Sequence, residues 1–269
     1  MSVQSVQKKH NLSVLITAGQ LFRKEMSSFY KQLVSKLVDA VINVSLMIIV
    51  FGYFIQQQIG SGNNFGPFIL IGTIASLGFW DTLGKVGDMI TDFSGPRTIT
   101  YTLSLPMPSW LALSVLAVSW AVTSLVISCS MLPVGKLLLY NKFDLSIISY
   151  WRLGIMFICS HLFFGFFSLW LVSILKGANI TTVWLRVINP LYTFGCFWYS
   201  WKTMGQISPV LSSINLINPL VYVMEGFRAA TLGQEGYMPF WICAVALLGF
   251  TFLCAVDAIS RLRKQLDFV

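Results

Sequence analysis

The sequence contains few charged residues, and this scarcity excludes an ordinary soluble protein. Aspartate, glutamate, lysine and arginine together make up 10% of the 269 residues, whereas they account for about 25% of a typical soluble domain. Hydrophobic residues make up 56%. A chain with so little charge cannot cover a soluble domain of this length with polar surface. The composition therefore predicts a polytopic integral membrane protein.

The sequence also lacks the residue patterns of a metal centre, a disulfide framework or an active site. The motifs G-x-x-x-x-G-K-S/T, H-E-x-x-H and G-x-S-x-G are absent. We therefore expect no bound cofactor, no metal and no catalytic residue, and we do not expect this chain to be an enzyme. The cysteines lie in apolar stretches without the spacing of metal ligands, at Cys129, Cys159, Cys196, Cys243 and Cys254.

Six apolar segments are long enough to cross a bilayer as helices. A helix satisfies its own backbone hydrogen bonds in lipid, so these segments predict an all-α fold. They cover about 37–55, 65–83, 110–132, 153–175, 183–201 and 239–256. An even number of crossings places both termini on one side, and most lysines and arginines fall on that side. This bias predicts cytoplasmic termini and also accounts for the net charge of +8 without a nucleic-acid partner.

The segment before the first crossing has helical periodicity and a basic face. Its apolar residues recur at about 100° per residue, whereas Arg23, Lys24, Lys31 and Lys36 lie off that stripe. We predict a cytoplasmic N-terminus over 1–36 that includes an amphipathic helix on the membrane surface. The alternative is an amphipathic helix packed on a soluble domain. The transmembrane domain is then 37–260, and 261–269 is a cytoplasmic tail.

His161 stands alone among the apolar residues of the fourth segment. A lone histidine at this depth is predicted to hydrogen-bond to a neighbouring helix. A role in a proton relay is the alternative, and it requires a second buried ionisable group.

The stretch 207–232 is apolar enough to enter a bilayer but too interrupted to cross it. Pro209 and Pro219 break it into two pieces. Glu225 and Arg228 are three residues apart and therefore share one helix face. Charges at membrane depth are costly unless they are paired or functional. We predict a re-entrant helical hairpin between crossings five and six, and the alternative is a surface loop with an incidental ion pair.

The connection between crossings two and three, 92–108, carries a further pattern. Asp81, Lys85, Asp88 and Asp92 recur at helical spacing, which predicts that the second helix continues beyond the bilayer. A Gly-Pro turn and a short amphipathic piece follow, closed by Pro106. A short projecting helix of this kind suits contact with a soluble partner, and a plain connecting loop is the alternative.

Two of these stretches resemble the ABC-2 permeases, the membrane subunits of type-2 ABC exporters. Asn218-Pro219-Leu220-Val221-Tyr222 with Glu225 and Arg228 is similar to the signature N-P-L-x-Y-x-x-E-x-x-R. Residues 95–106 are similar to the coupling segment E-x-G-T-x-x-x-L-L-x-x-P. Pro96 and Arg97 interrupt the Gly-Thr pair there, and the acidic residue is displaced to Asp92.

The resemblance implies a homodimer in the bacterial inner membrane that engages a separate ATP-binding cassette ATPase, which binds ATP and Mg. It implies export of an amphipathic substrate such as a polysaccharide or glycolipid, a drug or a lipid. The residues that would couple the chain to the ATPase are Asp92, Gly95, Arg97, Thr98, Leu105 and Pro106. Those that would form the re-entrant gate are Asn218, Pro219, Tyr222, Glu225 and Arg228.

Two other classes of function are weighed against this one. A secondary transporter or channel working without an ATPase predicts paired intramembrane carboxylates and broken helices in both halves of the chain, whereas the broken stretch occurs once. A membrane-embedded enzyme requires a cluster of catalytic residues at one depth, and the sequence offers none.

Overall fold

The computed structural model describes residues 3–59, 65–94, 104–175 and 180–266, and these ranges contain helices and no strand. Apart from two single 3₁₀ turns, nine helices lie in the described ranges. They are α1 (3–59), α2 (Phe65–Ser94), α3 (Ser109–Leu139), α4 (Tyr150–Ile174), α5 (180–193), α6 (Trp201–Ile207), α7 (Pro209–Ile217), α8 (Pro219–Thr231) and α9 (Phe240–Leu266). The all-helical membrane fold predicted from the sequence agrees with this architecture.

Five helices are long and apolar enough to cross a membrane, namely those that contain Ser13–Gln58, Phe65–Asp92, Ser109–Leu139, Tyr150–Ile174 and Phe240–Lys264. The number becomes six if α7 and α8, which meet at a bend of 102°, count as one broken span. Six crossings and a re-entrant hairpin therefore stay predictions, as does the orientation of the termini.

The N-terminal part of the chain differs from its prediction, because α1 is one continuous helix. No break separates the expected surface helix from the expected crossing over 37–55. The sequence between Gly19 and Gly52 contains neither glycine nor proline, so nothing ends the helix there. The 46 residues of Ser13–Gln58 extend over roughly 70 Å, more than twice the hydrocarbon thickness of a bilayer. If α1 crosses the membrane, part of it therefore projects beyond the hydrocarbon.

The expected fifth crossing over 183–201 is likewise not a single helix. α5 ends at Thr193, a turn follows, and α6 begins at Trp201. Within the turn, Cys196 has a φ of 62°, a conformation that non-glycine residues rarely adopt. The segment is apolar, so hydropathy predicts a crossing here. Hydropathy cannot predict the turn, because side chains from distant parts of the chain stabilise it.

Helices α2 and α4 form the centre of the molecule. About three quarters of the most apolar part of each is buried, at 78% and 72%, against 22% for α1 and for α9. His161 on α4 is buried between these helices. Its Nδ1 donates to the carbonyl of Phe157 at 2.8 Å, so its Nε2, 3.0 Å from the Ser128 hydroxyl on α3, accepts from that hydroxyl in the neutral ring. The predicted interhelical hydrogen bond is confirmed.

Close contact between α3 and α4 depends on Gly165. A Cβ atom at this position would lie 2.3 Å from the carbonyl oxygen of Ala117, a backbone atom that cannot rotate away. The helices therefore cross here at a distance that only glycine allows. Small residues serve the same purpose at helix contacts in membranes generally.

We expect Gly165→Ala to destabilise the protein by about 1–3 kcal/mol, the usual cost of overpacking a core. The reason is that α3 and α4 must separate to admit the methyl group. Unfolding of the purified protein in detergent, followed by loss of helical signal, measures the effect. Gly154→Ala on the same helix is the matched control, since its Cβ meets nothing within 4 Å; equal stability of the two variants would contradict the prediction.

Candidate functional site

Helix α8 is buried along its whole length, and its N-terminus is fixed by the Asn-Pro pair. The side chain of Asn218 accepts a hydrogen bond from the backbone of Leu220 at 3.0 Å and donates to the carbonyl of Leu191 at 2.7 Å. Asparagine is a favoured N-cap, and proline is favoured at the first helical position, taken here by Pro219. The pair therefore starts a new helix directly after the 102° bend.

Tyr222 links α8 back to the segment that precedes it. Its hydroxyl donates to the carbonyl of Leu216 at 2.8 Å. Asn215 makes a parallel connection, because its amide donates to the carbonyl of Phe194 at 2.7 Å. Residues 215–222 are thus attached to the end of α5 and to the turn after it, so the bend is held from both sides.

Arg228 is fully buried and binds the turn between α5 and α6. Its two terminal nitrogens donate to the carbonyls of Cys196 and Phe197 at 2.6 Å each, and a longer contact of 3.4 Å reaches the carbonyl of Tyr199. The guanidinium carbon lies 3.5 Å from the centre of the Phe68 ring on α2. Arg228 thus donates hydrogen bonds to carbonyls of the turn, where no regular helix supplies donors. The cation–π contact with Phe68 stabilises the buried charge.

Glu225 is also fully buried, and it binds two backbone N–H groups on different segments. One carboxylate oxygen accepts from Trp201 at the first turn of α6 at 2.9 Å, and the other accepts from Met238 just before α9 at 3.0 Å. A carboxylate at a helix N-terminus is favourable, because the unpaired N–H groups point towards it.

The two charges are therefore not simply each other's partner. Glu225 and Arg228 approach to 4.0 Å, at the limit for an ion pair, whereas each forms shorter hydrogen bonds to backbone groups elsewhere. We call Glu225 and Arg228 with their backbone partners the α8 clamp. Sequence spacing reveals the shared helix face but gives no sign of these partners, since carbonyl and N–H groups exist at every position.

An aromatic cleft of 560 Å³ adjoins the clamp. Phe68, which stacks on Arg228, lines it together with residues of the turn and of the loop before α9. Both aromatic rings and polar side chains line this cleft, a combination that suits the apolar and the polar parts of an amphiphile. The lining also includes Phe65, Trp198, Tyr199, Ser200, Lys202, Thr203, Gln206, Glu235, Gly236 and Tyr237.

The expected coupling residues lie partly within the described ranges. Gly95, Arg97 and Thr98 lie outside the described residues. Asp92 lies in the last turn of α2, so the helix continues through the charged residues as predicted, whereas its continuation beyond the bilayer stays a prediction. Leu105 and Pro106 lie in the turn before α3, where Met107 donates to the carbonyl of Leu105 at 2.6 Å.

Histidine, cysteine and carboxylate side chains do not converge on a metal site in the described ranges. No group of three or more such residues is close enough to hold an ion there. The charged residues that do meet are ion pairs between or along helices, as for Lys36 and Asp81 or Asp257 and Arg261.

Comparison with known proteins finds relatives that align with most of the chain. The sequence is 23% identical over 250 residues to the inner membrane transport permease YadH of Escherichia coli K12, covering 89% of this chain and 93% of YadH. YadH of Escherichia coli O157:H7 and of Shigella flexneri align with the same identity and coverage. No family model matches the chain. The chain is thus similar over most of its length to a bacterial inner-membrane transport permease, and this likeness supports a membrane transport protein.

Proposed function

We propose that this chain is the membrane-spanning subunit of an ATP-driven exporter and forms the path of an amphipathic substrate such as a polysaccharide or glycolipid, a drug or a lipid. A separate ATP-binding cassette ATPase hydrolyses ATP with Mg, and two copies of this chain form the permease. The α8 clamp carries the proposal. It places two fully buried charges after a sharp bend, at the residues that resemble the ABC-2 signature. The likeness to a transport permease supports the same function.

The clamp joins three parts of the chain into one unit. Because Arg228 binds the turn before α6 and Glu225 binds the N–H groups before α9 and at the start of α6, a displacement of α8 carries these segments with it. Coupling between distant sites needs an element with two arrangements that both sites bias. In the proposed exporter α8 and its bound segments are that element, and the aromatic cleft beside them opens or closes with it.

Co-expression with an ATP-binding cassette ATPase from the same genome tests the proposal. We expect a stable complex that moves an amphiphile across proteoliposomes only when ATP is hydrolysed. The opposite result would be flux by the purified chain alone, driven by an ion gradient without any ATPase, and it would establish a secondary transporter instead.

We expect simultaneous Asp92→Lys and Arg97→Asp to uncouple ATP hydrolysis from export. The segment 92–108 is the proposed contact with the ATPase, and reversing its charges opposes the complementary charges of the partner. Hydrolysis and transport rates measured on the same proteoliposomes report the coupling. Arg263→Asp, an exposed position on the same predicted side of the membrane, is the control. Wild-type coupling in the double variant would remove this segment from the contact.

A further inference from the structure

A polar cleft of 430 Å³ lies between α1 and α2, away from the α8 clamp. Next to this cleft, the sequence of each helix changes between apolar and charged residues. On α1 the charges end at Asp39 and an apolar run follows, and on α2 the apolar run ends at Trp80, before Asp81. Such a change marks the boundary between hydrocarbon and headgroups. The cleft therefore lies at the membrane interface, where an amphiphile would present its polar group.

The cleft contains a carboxylate that is not fully satisfied. Lys36 donates to one oxygen of Asp81, whose side chain is only 10% exposed. The second oxygen of Asp81 is buried and accepts no hydrogen bond from any described residue. Buried carboxylate oxygens are normally hydrogen-bonded, and an exception calls for an explanation. The charge of this carboxylate is therefore compensated on one side only, by Lys36, and this favours a further positive charge in the cleft.

The remaining charges favour a cation in the same place. Asp39, Asp88 and Lys85 also line the cleft, and within the described part of the chain none of the three forms an ion pair or a hydrogen bond. Once Lys36 and Asp81 neutralise each other, two carboxylates face one ammonium group. The cleft thus retains a net negative charge on two exposed carboxylates, Asp39 and Asp88, and this charge attracts a cation.

The walls of the cleft suit an organic cation better than a hydrated metal ion. Trp80 lines one side, and Leu77 and Ile127 contribute apolar surface. Indole is the strongest side-chain partner for a cation over an aromatic face. A carboxylate, an indole and an apolar wall together recognise a positive charge that carries hydrocarbon groups.

We propose that this cleft binds the cationic group of a lipophilic organic cation and is where a transported amphiphile first contacts the protein. The apolar part of the ligand then lies along the exposed apolar face of α1. The inference rests on the proposed transport function for its biological meaning, but binding itself requires neither ATP nor an ATPase.

Gly84 provides a direct way to block the cleft. It lines the cleft, and a Cβ atom at this position would meet nothing within 4 Å. The first carbon of a side chain therefore has open space here, and Gly84→Leu places an apolar side chain in the cleft. Gly249→Leu on α9 is the matched control, because that glycine is also exposed, helical and open. Asp39→Asn combined with Asp88→Asn removes two negative charges at exposed positions, keeps the side-chain size and leaves the net charge of the cleft positive.

The test is binding of radiolabelled tetraphenylphosphonium to the chain in phosphatidylcholine nanodiscs, with tetraphenylborate as a probe of the same shape and opposite charge. We expect saturable binding of the cation only, weakened about tenfold or more, a difference of about 1.4 kcal/mol, in Gly84→Leu and in the double asparagine variant. Wild-type affinity is expected in Gly249→Leu. Equal binding of both probes, or wild-type affinity in both cleft variants, would overturn the inference.

The outcome separates this inference from the proposed function. If the chain assembles with an ATPase and exports a solute but binds no tetraphenylphosphonium, the proposed function stands and the cation site is rejected. If binding of the cation depends on Gly84 and the two carboxylates but the chain never assembles with an ATPase, the cation site stands and the exporter function is rejected. If Gly84→Leu fails to fold, the double asparagine variant decides alone, since its substitutions are exposed.

Discussion

Replacing Arg228 with methionine is expected to prevent most of the protein from folding in the membrane. The change leaves the carbonyls of Cys196 and Phe197 without their donors and leaves Glu225 as a buried charge with no nearby cation among the described residues. Breaking a buried charged interaction on one side costs about 3–5 kcal/mol, a large part of a typical stability of 5–15 kcal/mol. The amount of folded protein after gel filtration in detergent measures the loss.

Two companion variants identify the cause. Arg228→Lys keeps the charge but offers a single ammonium group in place of a planar fork, so it should recover only part of the stability. Arg186→Met on α5 is the control, because that arginine is exposed. Wild-type yield and melting temperature in Arg228→Met would show that the turn after α5 does not depend on the guanidinium.

Glu225→Gln is expected to destabilise the protein by about 3 kcal/mol or more, since it leaves a buried arginine without its only nearby anion among the described residues. The amide keeps one acceptor oxygen, but its NH₂ group must face a second N–H donor, at either Trp201 or Met238. We therefore expect faster hydrogen exchange at the start of α6 or just before α9. Mass spectrometry of peptides that contain Trp201 and Met238 measures it.

Glu235→Gln is the matched control for this variant, because Glu235 is an exposed glutamate in the loop before α9. A double-mutant cycle with Arg228→Met then separates two interpretations. If Glu225 and Arg228 act mainly through their backbone partners, the loss of stability in the double variant should approach the sum of the two single losses. If the double variant is nearly as stable as the wild type, although each single variant is strongly destabilised, the two residues act as an ion pair. That result would contradict the clamp described here.

The predictions from sequence succeeded where a single segment determines its own structure. The helices around 65–83, 110–132 and 153–175 follow from long apolar runs, because in lipid a helix is the one local structure that satisfies the backbone. The extension of α2 to Asp92 follows from charge periodicity in the same way. The helix start at Asn218 and Pro219 follows from local capping chemistry.

The segment 183–201 could not be predicted in this way. Its hydropathy equals that of a crossing, but α5 ends at Thr193 and the chain turns through a left-handed Cys196. Arg228, some thirty residues later, supplies the hydrogen bonds that stabilise this turn. Hydropathy is a property of one window, whereas the turn depends on a donor from another helix.

The sequence alone determined that the chain is an all-helical membrane protein, because its composition and apolar runs leave no other way to satisfy the backbone. It also determined where a helix restarts after a break and that Glu225 and Arg228 share a helix face. Only the tertiary structure decided what these charges bind, since their partners are backbone groups that carry no residue identity. It alone decided that Asp81 keeps a buried, unsatisfied oxygen, because this depends on how α1 packs against α2.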